Sequence, residues 1–143
     1  MNIRPVREED VKDLMRLEDG SIEHPWEEEE LAKLAQDPNK SGFAAEEGGR
    51  VTVYIGFSYI LDEAEIGNVV VDKEYRRRGI GEALIEAAKG YLREQGIARV
   101  YLEVAEDNDA AKNLYSKAGF TSFNIRKDYY GKGRNAILMV CEI

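Results

Sequence analysis

The 143-residue sequence predicts a mixed α/β fold: a mostly antiparallel sheet with one central parallel strand pair, and helices on both faces. Two observations lead there. Residues 42–71 read as three strands joined by short turns, an antiparallel meander. Residues 69–104 read as strand, helix, strand, and a right-handed crossover makes those two strands parallel neighbours. One domain is expected over residues 1–143, a length that buries a sizeable core.

In chain order, residues 2–6 form a short strand, which Pro5 places at a sheet edge. Residues 8–19 form a helix with Val11, Leu14, Met15 and Leu17 or Glu18 as its stripe, ended by Gly20. His24-Pro25-Trp26 is a turn, in which His24 is read as structural. A second helix, 27–36, has four acids in its first turn, where the helix dipole favours them. Strands follow at 42–47 and 51–61, with a hairpin turn at Glu47-Gly48-Gly49-Arg50, and a third strand spans 65–71. The helix after Gly79 runs to Gln95, with Ile80, Leu84, Ala87, Ala88, Tyr91 and Leu92 on one face. Strand 99–104 points Val100, Leu102 and Val104 one way and Tyr101 and Glu103 the other. Asn108 or Asp109 starts a helix ending at Ala118-Gly119, and strands 120–126 and 136–142 flank a polar, aromatic loop.

Composition narrows the function. With 28 acidic and 20 basic residues the net charge is −8, which argues against general nucleic-acid binding and suits either a basic protein or peptide partner or plain solubility. No apolar run approaches a membrane span of roughly 20 residues, and the first residues lack the apolar core of a signal peptide. One cysteine and one histidine make neither a disulfide nor an ordinary zinc site, so no metal is expected, and a reducing cytoplasm fits. Cys141, inside the last strand, reads as buried and inert. No long apolar stripe is left over, so a monomer is expected.

The most informative stretch is VVVDKEYRRRGIGEAL, residues 69–84. A buried strand, Val69-Val70-Val71, feeds Arg76-Arg77-Arg78-Gly79-Ile80-Gly81, where a helix begins after Gly79. The first N–H groups of a helix have no internal partners and its dipole attracts anions. Gly79 and Gly81 omit side chains where a phosphate would approach, and the arginines add charge, so the stretch reads as a pyrophosphate cradle. It is neither a Walker A loop nor the dinucleotide fingerprint. Glu103 lies near the carboxyl end of the neighbouring strand, where open α/β sheets bind ligands, and is a candidate general base. Asn108, Ala111 and Tyr115 share a helix face; Asn108 also suits a helix cap, and the Tyr115 phenol is a candidate proton donor or a core residue. Trp26, Tyr129 and Tyr130 are loop aromatics that either line a substrate site or pack over a sheet edge.

These residues resemble the GCN5-related N-acetyltransferase (GNAT) family over essentially the whole chain. The family signature Gln/Arg-x-x-Gly-x-Gly/Ala is met in full by residues 76–81, and Asn108-Asp109-Ala110-Ala111, Leu114-Tyr115 and Ala118-Gly119-Phe120 match its later helix and strand. His24-Pro25-Trp26, Leu61-Asp62-Glu63-Ala64, Leu102-Glu103-Val104 and Arg126-Lys127-Asp128-Tyr129-Tyr130 are similar to its RimI branch, which acetylates the N-terminal alanine of a small-subunit ribosomal protein. The loop Gly131-Lys132-Gly133-Arg134 looks shorter than the family's. The resemblance implies the GNAT fold with two splayed strands, and acetyl-CoA held by Val69, Val70, Val71, the segment Arg76, Arg77, Arg78, Gly79, Ile80, Gly81, Glu82, and Asn108. It implies Glu103 as base and Tyr115 as acid in a direct transfer. An acceptor that is a small amine or a different protein N-terminus stays open, as does a non-catalytic acyl-CoA-binding module.

Overall fold

The computed structural model describes residues 1–20 and 25–143; His24 lies outside the described residues. In chain order the elements are β1 (Asn2–Pro5), α1 (Val11–Asp19), α2 (Glu28–Gln36), β2 (Lys40–Glu47), β3 (Arg50–Ile60), β4 (Glu63–Val71), α3 (Ile80–Glu94), β5 (Arg99–Ala105), α4 (Asp109–Lys117), β6 (Thr121–Arg126) and β7 (Ala136–Glu142). The order of helices and strands is the one the sequence predicts. Short 3-10 turns at Glu8–Asp10 and Lys73–Tyr75 precede α1 and α3.

All seven strands join one sheet in the order β1-β2-β3-β4-β5-β7-β6. Pro5 does sit in an edge strand, since β1 pairs only with β2. Gly48 and Gly49, at φ 61° and 78°, close the β2–β3 hairpin with the two left-handed residues that match strand twist. The β3–β4 turn is shorter than expected. Leu61 takes φ 56° there, so β4 begins at Glu63 instead of residue 65. The strand order at the far end is not given by the pattern: β7 inserts between β5 and β6 and is antiparallel to both.

Each face of the sheet carries its own core. On one face Leu84, Ile85, Ala88 and Leu92 of α3 meet Val53, Ile55, Phe57, Val100 and Leu102, all nearly or fully buried. Ile85, and not Ala87, completes the α3 stripe. On the other face Leu14, Leu17, Leu31 and Leu34 of α1 and α2 meet Ala44, Val51, Tyr54 and Val70. Each fully buried side chain of this size contributes roughly 1.5–3 kcal/mol.

The edge is fixed by an ion pair. Arg4 donates to both carboxylate oxygens of Asp10 at 2.7 and 2.8 Å, and Asp10 also accepts from the Arg7 backbone N–H at 2.8 Å. Burial opposes the Asp10 charge, but these donors outweigh it and hold the carboxyl below its usual range. A depressed carboxyl stabilises the fold above its unfolded pKa, and that contribution is lost as pH falls through the lower, folded value. Asp10→Asn should therefore cost about 1–3 kcal/mol at neutral pH. Urea melts of both proteins should show the gap closing as pH falls below the ordinary aspartate range.

Candidate active site

β4 and β5 are parallel but pair only at Glu63–Arg99, Ala64–Val100 and Glu65–Tyr101. Beyond that point the strands part. The divergence coincides with a bulge in β4: Asn68 faces Gly56 and Ile66 faces Phe57, which leaves Gly67 as the extra residue. The Asp72 N–H donates to Thr52 of β3 at 2.8 Å. Alternate residues of a strand turn their backbone groups to opposite sides, so Val69 and Val71 present theirs to the gap. Val69 and Val71 pack towards α3, whereas Val70 joins the α1–α2 core.

The segment after β4 has the backbone of an anion cradle. Arg77 at φ 63° and Gly79 at φ 76° are both left-handed, so the chain curls before α3 begins at Ile80. The α3 ladder starts with the Ala83 N–H on the Gly79 carbonyl, which leaves the N–H groups of Ile80, Gly81 and Glu82 outside it. Arg76, Arg77 and Arg78 are exposed, and Arg78 lies 4.8 Å over the Tyr75 ring. Among the described residues neither Arg76 nor Arg77 forms an ion pair. The two glycines differ in role. A side chain at Gly79 would meet nothing, so glycine serves its positive φ. A side chain at Gly81 would make ordinary contact with Leu114 at 3.4 Å, so the packing of α3 on α4 does not by itself require glycine there. The open β4 edge and this cradle together fit an extended, phosphate-bearing ligand.

Glu103 and Tyr115 belong to opposite faces of the sheet. Leu102 and Val104 point into the α3 core, so Glu103 emerges on the other face, opposite Leu138. Tyr115 projects from α4 within the α3-side core, 8 % exposed and edge-on to Phe120 at 6.0 Å. Tyr130 lies within electrostatic reach of both. Its hydroxyl pKa is raised by burial and then by the Glu103 charge, and Tyr130 in turn affects Tyr115. The Tyr115 phenol is pushed up to about 12, first by burial and then by Tyr130. It therefore holds its proton throughout the neutral range and is suited to donating it.

The carboxylate of Glu103, 22 % exposed, has Arg126 of β6 at 3.4 Å, and the Arg126 guanidinium lies 5.5 Å over the Tyr129 ring. Tyr129 and Tyr130 form an edge-on pair at 5.0 Å. Their loop is tied down. Asp128 accepts from the Gly133 N–H at 2.7 Å, Asn135 accepts from the Asp128 N–H at 3.0 Å, and Arg134 reaches Asp107 at 3.1 Å. The loop is a fixed wall beside Glu103, held to the β5–α4 connection. Asn108 caps α4, its side chain accepting from the Ala111 N–H at 3.1 Å.

Trp26 packs inward. Its ring stands so close to Gly67 that a side chain there would come within 2.6 Å, which explains the glycine at the bulge. The Trp26 backbone N–H donates at 2.6 Å to Glu18, which is fully buried. Glu18 also accepts from Asn68 at 3.0 Å and from the Tyr54 hydroxyl. Sequence reasoning did not foresee that Arg126 stands beside Glu103 or that Asn68 and Tyr54 converge on Glu18. The one available signal was a carboxylate on the apolar stripe of α1, which must find donors if it is buried. Among the described residues no group of three or more His, Cys, Asp or Glu is arranged to hold a metal ion, and no helix is long and apolar enough to cross a membrane.

Comparison with known proteins agrees with this geometry. Residues 10–120 match the Acetyltransferase (GNAT) family. The chain is 34% identical over 137 residues to the [ribosomal protein bS18]-alanine N-acetyltransferase of Escherichia coli (strain K12), covering 94% of this chain and 92% of that protein. The crystal structure of the Escherichia coli ribosomal-protein-S18-alanine N-acetyltransferase superposes with a TM-score of 0.89 at 31% identity, over 99% of this chain and 93% of the other. A Bacillus anthracis acetyltransferase solved in complex with acetyl coenzyme A has a TM-score of 0.72 at 26% identity, over 78% of this chain and 66% of that one. Sequence and fold together establish that this chain belongs to the GNAT family of acetyltransferases.

Proposed function

We propose that the protein transfers the acetyl group of acetyl-CoA to the N-terminal amine, an alanine, of a basic small-subunit ribosomal protein in the cytoplasm, acting as a monomer. The observation that carries this reading is the parting of β4 and β5 after Glu65 and Tyr101, which opens one strand edge beside the α3 cradle. Glu103, on one face of the sheet, and Tyr115, on the other, both lie near Tyr130. The similarity to ribosomal-protein-alanine N-acetyltransferases and the net charge of −8 support the acceptor.

Acetyl-CoA supplies an activated acetyl thioester. The backbone groups of Val69 and Val71 pair with its pantetheine as an added strand would, and the N–H groups from Arg77 to Glu82 hold its pyrophosphate. A backbone N–H near Val71 polarises the thioester carbonyl. Asn108 at the start of α4 contacts the same ligand. An α-ammonium has a pKa near ~8, so a modest base, acting directly or through water, suffices to take its proton. Glu103 is that base, and the freed amine attacks the carbonyl carbon. Tyr115 gives its proton to the departing thiolate, so the step needs no metal and no acyl-enzyme. Tyr129 and Tyr130 border the acceptor, while Trp26 supports the β4 bulge from within.

Free-thiol release from acetyl-CoA tests this with two basic peptides beginning with alanine, one with a free α-amine and one blocked. Turnover with the free terminus alone is expected. Turnover of the blocked peptide through its lysines, or of small polyamines alone, would refute an N-terminal acceptor.

A further inference from the structure

Resting on Glu103 as the base, we infer that Arg126 occupies the place of the acceptor ammonium on Glu103 while no acceptor is bound, and so sets the acceptor's apparent affinity. Three observations carry this. The ion pair between Arg126 and Glu103 is at 3.4 Å, with no hydrogen bond between the two side chains and so none of the paired bonds of a tight guanidinium–carboxylate fork. Arg126 is 53 % exposed, so leaving Glu103 does not strand its charge in a dry interior. It also has somewhere to stay, because its guanidinium already lies over Tyr129, on a loop tied down by Asp128, Arg134 and Asn135. A contact built to orient Glu103 would be short, forked and buried, as Arg4 on Asp10 is in this same molecule at 2.7 and 2.8 Å.

Arg126 from β6 stands within ion-pair distance of Glu103, and Tyr130 from the loop feels the charges of both Glu103 and Arg134. An acceptor amine arrives mostly as an ammonium at neutral pH, so it and Arg126 compete for one carboxylate. The arriving amine displaces Arg126 onto Tyr129, passes its proton to Glu103 and attacks. When the acetylated, uncharged product leaves and Glu103 releases its proton to solvent, Arg126 returns.

The test is steady-state kinetics with the free-amine peptide. Arg126→Gln should lower the acceptor KM by about two- to fivefold, the range open to a partly exposed ion pair, with kcat at saturating peptide within about twofold of wild type. Arg126→Lys should keep a KM close to wild type. Added guanidinium ion at millimolar concentration should raise the KM of Arg126→Gln back towards wild type and leave the wild-type enzyme nearly unchanged. In a Glu103→Gln background, removing Arg126 should leave KM unmoved. A fall in kcat with KM unchanged or raised would overturn the inference and make Arg126 a positioning residue or a peptide contact. Glu103→Gln alone separates the two levels: wild-type kcat there defeats the base assignment itself. A slow Glu103→Gln beside an unchanged KM in Arg126→Gln defeats only the role of Arg126.

Discussion

Glu103→Gln is expected to lower kcat/KM for a free-amine peptide by about 10²- to 10⁴-fold, the usual contribution of a positioned general base. The substitution keeps the shape of the side chain and removes its ability to accept the proton. Glu103 is partly exposed and holds only a loose ion pair, so the fold should not suffer, and the melting temperature should stay within a few degrees. Binding of acetyl-CoA should be unchanged, because that ligand is assigned to the open β4 edge and the α3 cradle. The loss should shrink when the assay pH is raised above the α-amine pKa of about 8, where the amine arrives already neutral. Tyr115→Phe should behave differently. It removes the proton for the thiolate, so its loss should fall on kcat and persist at high pH. Wild-type turnover in the double variant Glu103→Gln with Tyr115→Phe would refute both assignments.

Glu18→Ala is expected to destabilise the protein by about 2–4 kcal/mol, because it strands three donors in the interior. The Trp26 backbone N–H, the Asn68 amide and the Tyr54 hydroxyl all point at this one buried carboxylate. For a chain of this size the melting temperature should fall by roughly 5–15 °C. Activity should fall as well, since Asn68 directly precedes the open edge of β4 and Trp26 presses on the bulge at Gly67. Burial raises the Glu18 pKa above the ordinary value of 4.5 against the pull of the Trp26 and Asn68 donors. A raised carboxyl contributes stability that is complete below its unfolded pKa and is lost as pH rises through the folded value. The stability gap between wild type and Glu18→Gln should therefore be widest in mild acid and narrow as pH rises. Chemical melts across that range check the sign, and a gap that widens with pH would show that the donors around Glu18 outweigh its burial.

What the sequence determined by itself is local. Periodicity placed the helices and strands, because a half-buried element writes its buried face into the spacing of its apolar residues. Glycines at 48, 49 and 79 marked backbone that turns left-handed, and Asn108 marked a helix start. The Arg-x-x-Gly-x-Gly stretch could be read as an anion cradle because it is made mostly of consecutive backbone groups. The parallel neighbourhood of β4 and β5 followed from the crossover rule. The tertiary structure alone decided what depends on residues distant in the chain. Nothing in the pattern of 120–142 says that β7 lies between β5 and β6, since either strand offers the same alternation to a neighbour. That insertion brings Arg126 to Glu103, 23 positions earlier in the chain, and ties the Tyr129–Tyr130 loop to Asp107. The burial of Glu18 depended on three donors from different elements converging on it. Glu103 and Tyr115 lie on opposite faces, and each comes within electrostatic reach of Tyr130 only through the tertiary fold. A strand edge is opened by what fails to pair with it, and missing partners leave no mark in a single sequence.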